Sequence, residues 1–327
     1  MRNETPTIGG RSPLAPLMET FLQEMLACGY RGTYHAGILR RFDAFLYQQG
    51  LQQPELPNSL SWQWLAKQPH ESANTQLSRI SVVRQFAMFL CRMGHSADVP
   101  DRAMGAKATS EFAPRILTHD ELRRLLEAVD SLKPVAHTPM RHIVMPELFR
   151  LLYGCGLRLN EAVGLRVKDV DLVQGVLRIK DGKFHKDRLV PPALPLVERL
   201  QRYAEKRGHR PDDAYFFPSS RGGRWSLSPV YWMFRELLMR CGIPHGGRGE
   251  GPRVHDLRHT FAVHTLLRWY REGADLQARL PVLAAYLGHS SIEGTQAYLH
   301  LTAELFPEIV VRSELAFGDA IPRRRSS

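Results

Sequence analysis

The sequence predicts a mainly α-helical protein with a small β-hairpin, an α+β fold in two domains. Apolar residues recur at three- and four-residue spacing along most of the chain, which is the pattern of amphipathic helices. Residues 176–190 instead show two short apolar runs around an Asp-Gly pair, which is a hairpin signal. A chain of 327 residues is long enough for two domains with proper cores.

The first domain is predicted to cover residues 12–96 and to be all-helical, after a flexible arm of residues 1–11. Its helices begin at capping residues or proline and end at glycines. The predicted helices run from about Ser12 to Gly29, from Thr33 to Gly50, over 62–65, and from Asn74 as N-cap to Gly94. Residues 97–115 contain prolines and no apolar periodicity, so we interpret them as a linker.

The second domain is predicted to cover residues 116–327 and to begin with a helix. Thr118 and Glu121 have the spacing of a capping box, in which each side chain bonds the other residue's backbone N–H. A second apolar helix, near 145–153, ends at glycines. Arg158 should therefore lie at the start of the next helix.

The predicted hairpin turns at Asp181-Gly182, a strong two-residue turn signal. Lys183 follows this turn directly, so its long side chain can reach a neighbouring surface. Amphipathic helices are also expected near 194–207 and 229–241, followed by a central helix that carries His255.

Charge and cysteine content limit the partners and the compartment. The chain has 44 Lys and Arg against 33 Asp and Glu, a net charge of +11, which favours a polyanion such as nucleic acid as partner. Its four cysteines form no C-x-x-C pair and suit a cytosolic protein with reduced thiols. We expect no secretory signal and no membrane-spanning segment, because the first residues lack an apolar h-region and the chain has no long apolar run. We expect a cytoplasmic, nucleoid-associated protein.

Residues suited to phosphate chemistry follow one another in the second domain. In chain order they are Arg158, His255, Arg258, His289 and Tyr298. His255 and Arg258 are three residues apart, so on a helix they would share one face. Two guanidiniums suit the charge that builds up on a phosphodiester during in-line attack. The pattern indicates a phosphate clamp with a nucleophile at its end.

These motifs resemble those of the tyrosine recombinases of the phage-integrase family. The resemblance extends over both domains in order and size. The matching segments are Gly156-Leu157-Arg158 with Glu161, the run from His255 through Arg258 to Ala262, Leu287-Gly288-His289-Ser290, Tyr298, and the hairpin pair Gly182-Lys183.

The resemblance implies a helical core-binding domain and a mainly helical catalytic domain that close around duplex DNA. Such enzymes act as homotetramers on two DNA sites, recombine them through a 3′-phosphotyrosyl intermediate, and pass a C-terminal helix to a neighbour. Apolar residues after Tyr298 suit such a helix: Leu305, Phe306, Ile309, Val310 and Leu315. No cofactor and no metal is expected, because the phosphotyrosine keeps the energy of the cleaved bond.

The expected roles follow from the chemistry of each side chain. Arg158 and Arg258 would neutralise the phosphate. Tyr298 would attack it, and His255 would take the phenol proton. His289 would donate a hydrogen bond to a phosphate oxygen.

The general acid for the leaving 5′-oxygen is expected to be Lys183. Lys180 and Lys186 flank the same turn and remain alternatives. Glu161, one turn after Arg158, would orient or balance the basic cluster, although an ordinary exposed helix acid has the same pattern.

Two features leave alternatives open. The interval from Arg258 to His289 is 31 residues, longer than expected for the commoner relatives. The surplus falls in residues 269–281, should lengthen a surface connection, and favours a mobile-element recombinase. His255 and His259 have the spacing of a metal pair, but the glutamate of H-E-x-x-H is absent.

The alternative functions are DNA relaxation, as in type IB topoisomerases, and non-catalytic DNA binding by a regulator. The separate helical domain favours the recombinase.

Overall fold

The computed structural model describes residues 7–30, 32–106, 114–180, 187–246, 251–289, 291–296, 298 and 299. Within these residues the protein is mainly helical and has one small antiparallel sheet, which confirms the predicted fold class. The chain divides into two compact units, Met1–Phe112 and Ala113–Ser327, here called the first and second units. None of the helices in the described ranges is long and apolar enough to span a membrane.

The first unit is a small helical bundle around a buried aromatic and aliphatic core. Leu22, Phe42 and Phe86 are fully buried at its centre. Its elements are α1 (Ala15–Ala27), α2 (Thr33–Gln48), α3 (Asn58–Leu65), α4 (Ala73–Arg92) and a short 3-10 helix (Arg102–Met104).

The predicted N-cap of α4 was wrong. Ser72, not Asn74, caps this helix, because the Ser72 hydroxyl oxygen accepts the Thr75 N–H at 3.1 Å. Ser72 has the extended backbone that an N-cap requires, whereas Asn74 already lies in the first turn.

Part of the predicted linker belongs to the first unit. The Ala106 N–H donates to Gln76 Oε1 at 3.1 Å, and Met104 packs against the core of the first unit. Ala97 forms a parallel bridge with Leu56. Hydrogen bonds of this kind leave no apolar periodicity in the sequence, so pattern analysis missed them.

The second unit contains the sheet and the larger set of helices. The capping box at Thr118 and Glu121 is confirmed, with its two hydrogen bonds at 3.2 and 2.9 Å. Its helices are α5 (His119–Asp130), α6 (Arg141–Gly154), α7 (Leu159–Ala162), α8 (Leu194–Arg207), α9 (Leu227–Arg240), α10 (Asp256–Arg271), α11 (Leu276–Leu287) and α12 (Glu293–Gln296), with a 3-10 turn at Val167–Asp169.

The described part of the sheet has the order β1-β2-β3, all antiparallel, with β1 (Val170–Asp171), β2 (Val176–Ile179) and β3 (Arg188–Val190). Both predicted hairpin strands are present, and Leu177 pairs with Val190. The two-residue β1 was too short to predict. The turn at Asp181-Gly182, with Lys183 and Lys186, lies outside the described residues.

Residues 269–281 do not form the long surface connection that we expected. They complete α10 and begin α11, and the connection between these helices is residues 272–275 alone. Trp269 and Leu276 pack against the buried cluster that α10 and α11 share. Most of the surplus residues are therefore helical, and their apolar side chains pack against this cluster.

Candidate active site

Arg158 lies at the N-cap of α7, the helix start that the sequence predicted. Glu161, three residues on, accepts the Arg158 backbone N–H with Oε2 and the guanidinium Nη1 with Oε1, both at 2.9 Å. Arg158 Nη2 donates to the carbonyl of Gly288 at 3.2 Å. The Arg158 side chain remains 23% exposed, so it is partly accessible from solvent.

Arg258, in the first turn of α10, is 1% exposed. Its Nη1 donates to the Gly156 carbonyl at 2.7 Å and its Nη2 to the Leu287 carbonyl at 2.8 Å. Gly156 has φ +58°, and an added Cβ would lie 2.6 Å from Phe261 Cδ1. Glycine is therefore needed where this carbonyl turns towards the guanidinium.

Arg258 remains positively charged although it is buried. Burial, together with the neighbouring Arg158 cation, lowers the pKa of Arg258 to about 10. A pKa near 10 still leaves the guanidinium protonated at neutral pH. The pair therefore places two cations beside each other, which is the electrostatic requirement for holding a phosphate.

The same two arginines position His289, because they bond the backbone at the end of α11, directly before this residue. They bond the consecutive carbonyls of Leu287 and Gly288, and His289 is the next residue. Its Nδ1 lies 2.7 Å from Thr295 Oγ1, which fixes the ring. Burial and the Arg258 and Arg158 charges lower the pKa of His289 to about 4, so the imidazole is neutral at pH 7.

Tyr298 is buried, with 4% of its surface exposed. Its Oη lies 3.1 Å from His259 Nδ1, and its ring stacks on His289 with centroids 6.1 Å apart. Burial raises the pKa of Tyr298, whereas the charge of Arg258 and a hydrogen bond with it act in the opposite direction. The phenol is therefore protonated at neutral pH and needs an acceptor before it can attack.

His255 is the N-cap residue of α10 and is exposed. Its ring meets the ring of His259 edge-on, with centroids 4.7 Å apart. The surrounding protein removes part of the hydration of the ring, and together with the charges of Arg258 and Arg158 this lowers the pKa of His255 to about 4. The sequence suggests His255 as the acceptor of the phenol proton, yet the histidine whose ring nitrogen lies next to Tyr298 Oη is His259.

Arg188 and His259 are the residues that sequence reasoning missed. Arg188 Nη1 and Nη2 donate to Glu161 at 3.0 and 2.8 Å, and its Nε donates to the Tyr286 carbonyl at 2.9 Å. The position of Arg188 in its strand gave a signal for its role. Arg188 shares a strand face with buried Val190, while Leu189 points to solvent. A charged residue on the core face of a strand indicates a buried ion pair.

The structure brings together most of the residues that the sequence singled out. The linked set is Arg158, Glu161, Arg258, His289 and Tyr298, with His255 beside it through His259. Lys183 lies outside the described residues. Lys180, one of its alternatives, pairs with Asp169 at 2.6 Å. Cations, neutral imidazoles and a phenol together can bind a phosphodiester and attack it.

Residues 115–304 match the phage integrase family. An integrase/recombinase of Sinorhizobium fredii is 33% identical over 94% of this chain and 96% of its own length. The tyrosine recombinase XerD of Pseudomonas aeruginosa is 30% identical over 91% of this chain and 96% of its own length.

Among solved structures, the Tn1549 transposon integrase in complex with transposon right-end DNA has a similar fold. Its TM-score is 0.61 at 17% identity, over 86% of this chain and 94% of that one. The family match covers more than half of the chain, and the relatives match nearly all of it. This chain belongs to the phage integrase family of tyrosine recombinases.

Proposed function

We propose that this protein is a site-specific DNA recombinase that cuts and rejoins strands through a 3′-phosphotyrosyl intermediate on Tyr298. The observation that carries the proposal is the environment of the Tyr298 phenol, which is buried against His259 and His289 and faces the charge of Arg258. The names of the relatives, integrase/recombinase and tyrosine recombinase, support the same activity. An enzyme of this kind works at the nucleoid, where its DNA lies.

The chemistry balances without an energy source. Tyr298 Oη forms a bond to phosphorus as the bond from phosphorus to the 5′-oxygen breaks. Arg158 and Arg258 neutralise the charge that develops on the non-bridging oxygens. The phenol proton passes to an imidazole, and the 5′-oxygen takes a proton, in our proposal from Lys183. Attack by a 5′-hydroxyl reverses every step and rejoins the strand.

We propose further that four copies assemble on two DNA sites and exchange their C-terminal segments. The acceptor on the second unit would be a groove of about 850 Å³ whose lining includes Phe261, Trp269, Val282 and Leu283. The occupant would be the apolar stretch after residue 304 of a neighbouring copy.

The charges in the groove fit this occupant. Arg268 and Arg271 lie along it, with Glu272 3.8 Å from Arg268, and the C-terminal stretch carries Glu308 beside its apolar residues. Phe306→Asp should block assembly on DNA while single-site binding remains. Assembly that is unchanged in native gels would refute the exchange and leave the cleavage chemistry intact.

The covalent adduct tests the proposed function. A DNA substrate with a nick near the cut traps the enzyme, because the released fragment diffuses away before it can rejoin. We expect a denaturant-stable adduct that peptide mapping places on Tyr298. Tyr298→Phe should abolish the adduct and keep DNA binding, whereas Tyr231→Phe, at an exposed position of α9, should form it normally. An adduct on another tyrosine would overturn the assignment.

A further inference from the structure

We propose that Asp256, His259 and Tyr298 form a proton-transfer triad, in which His259 takes the phenol proton and Asp256 sets the tautomer of the imidazole. The inference rests on the proposed role of Tyr298 as nucleophile. It gives His259 the proton-accepting role that the sequence suggested for His255.

The geometry of the triad is almost complete in the structure. His259 Nδ1 lies 3.1 Å from Tyr298 Oη, and on the other side of the ring His259 Nε2 lies 4.0 Å from Asp256 Oδ1. The second distance exceeds a hydrogen bond by about 1 Å. Hydrogen bonds of this kind are often long in enzymes without substrate and tighten when it binds.

Asp256 has an acceptor oxygen available for this contact. The side chain is completely buried, and its Oδ2 accepts the Arg253 N–H at 2.9 Å. The backbone N–H of Arg115 also faces the carboxylate. Oδ1 has no hydrogen-bond partner at standard geometry within the described part of the chain, and the Arg253 guanidinium nitrogen Nη2 lies 3.9 Å from it. A buried oxygen without a partner is costly, so a bond from His259 would stabilise it.

The position of Asp256 decides which nitrogen of His259 carries the proton. A neutral imidazole has one N–H and one lone pair. The carboxylate favours the proton on Nε2, which leaves the Nδ1 lone pair directed at the phenol of Tyr298. The same arrangement of carboxylate, imidazole and hydroxyl activates the nucleophile of serine hydrolases.

Phosphate binding would switch on this base. Burial, together with the nearby His255 ring and the Arg258 charge, lowers the pKa of His259 to about 3, so the imidazole is neutral but weakly basic. A phosphodiester held by Arg158 and Arg258 brings negative charge that offsets the charge of Arg258 and raises the pKa of His259. The phenol would therefore lose its proton only when DNA is in place.

The proton balance is closed over one cycle. As the bond from Tyr298 Oη to phosphorus forms, the phenol proton moves to His259 Nδ1 and the bond to the 5′-oxygen breaks. On rejoining, a 5′-hydroxyl attacks phosphorus, and the imidazolium returns the proton to Oη as the phosphotyrosyl bond breaks.

Fluorination of the nucleophile tests the triad directly. Difluorotyrosine at position 298 has a more acidic phenol, so it depends less on a base. His259→Ala should slow adduct formation by roughly a hundredfold or more. Difluorotyrosine should restore about tenfold or more of this lost rate. Each unit by which the pKa of the phenol falls raises the ratio of phenolate to phenol about tenfold. Difluorotyrosine should not raise the rate of adduct formation in Arg258→Lys, because this variant is defective in stabilising charge on the phosphate.

Asp256→Asn distinguishes proton transfer from a structural role. Its amide would donate to Nε2 and shift the proton to Nδ1, which blocks acceptance from the phenol. We expect slow cleavage that difluorotyrosine restores, whereas a packing defect would not respond to phenol acidity. His259→Asn keeps a polar group near the phenol without a base and should behave like His259→Ala if the alanine variant folds poorly. His142→Ala, on α6, is the matched histidine control.

Two results would overturn the triad. One is adduct formation at the wild-type rate in His259→Ala, and the other is rescue by difluorotyrosine in His255→Ala but not in His259→Ala. Melting curves and DNA binding verify that each variant is folded. If the wild-type protein forms no adduct on Tyr298, the proposed function itself fails, so the two failures are distinguishable.

Discussion

Arg188 and Glu161 form a bidentate ion pair inside the second unit, in which Nη1 and Nη2 of Arg188 lie 3.0 and 2.8 Å from the carboxylate oxygens. Less than a tenth of either side chain is exposed. Glu161 also holds Arg158, and Arg188 also bonds the Tyr286 carbonyl near the end of α11. The pair therefore joins α7, strand β3 and the helix before His289. Removal of one partner would leave a buried charge uncompensated, which typically costs about 3–5 kcal/mol.

The stability of the protein should depend on pH through Glu161. Burial raises the pKa of Glu161, but the hydrogen bonds and charges of Arg188 and Arg158 outweigh it and lower the pKa to about 2. A lowered pKa stabilises the fold above the unfolded value of about 4.3, and this stabilisation disappears as pH falls towards about 2. The expected loss is on the order of 3 kcal/mol.

Urea unfolding at several pH values measures this contribution. Wild type should lose stability steeply between about pH 4.5 and about pH 2, and Glu161→Gln should be less stable at pH 7 with a flatter profile. Glu127→Gln removes an exposed ion pair with Arg123 and should change stability by about 0.5 kcal/mol or less. Parallel profiles for wild type and Glu161→Gln would contradict the assignment.

Arg158→Ala should reduce cleavage far more than DNA affinity. Many Lys and Arg contacts share the binding of the DNA backbone, so the loss of one costs little affinity. The loss of a donor that stabilises transition-state charge typically costs about a hundredfold or more in rate. Adduct formation and gel-shift titrations on the same substrate separate the two effects. A variant that cleaves at the wild-type rate would remove Arg158 from the clamp.

Cleavage should continue in excess EDTA. Guanidinium and imidazole groups take over the charge stabilisation that metal ions supply in many nucleases. Among the described residues, no three His, Cys, Asp or Glu side chains are grouped so that they could hold an ion. A complete loss of cleavage that zinc or magnesium reverses would restore His255 and His259 as metal ligands.

Lys183→Ala should slow cleavage by roughly a hundredfold or more if Lys183 protonates the leaving 5′-oxygen. A substrate with sulfur in place of that oxygen has a leaving group that departs without a proton. Sulfur should therefore restore cleavage in Lys183→Ala and give no rescue in Arg158→Ala. Rescue of Lys186→Ala instead would identify Lys186 as the acid. Rescue of neither would mean that the hairpin lysines do not transfer this proton.

The sequence by itself determined the features that depend on neighbours three or four residues apart. Apolar periodicity predicted the helices, and the capping box placed the start of α5 at Thr118. The stop at the glycines after α6 placed Arg158 at a helix start. These signals lie within one turn of the helix that they specify, so no knowledge of the rest of the fold was required.

The tertiary structure alone decided which side chains meet across the chain. Arg258 bonds a carbonyl 102 residues before it, and Arg188 bonds one 98 residues after it. His259 follows Arg258 directly, yet its value lies in its contact with Tyr298, 39 residues away. Periodicity reports which face of an element is buried but not what that face touches. For this reason the sequence named the histidine at the start of α10, and only the fold showed that its neighbour one turn later contacts the phenol.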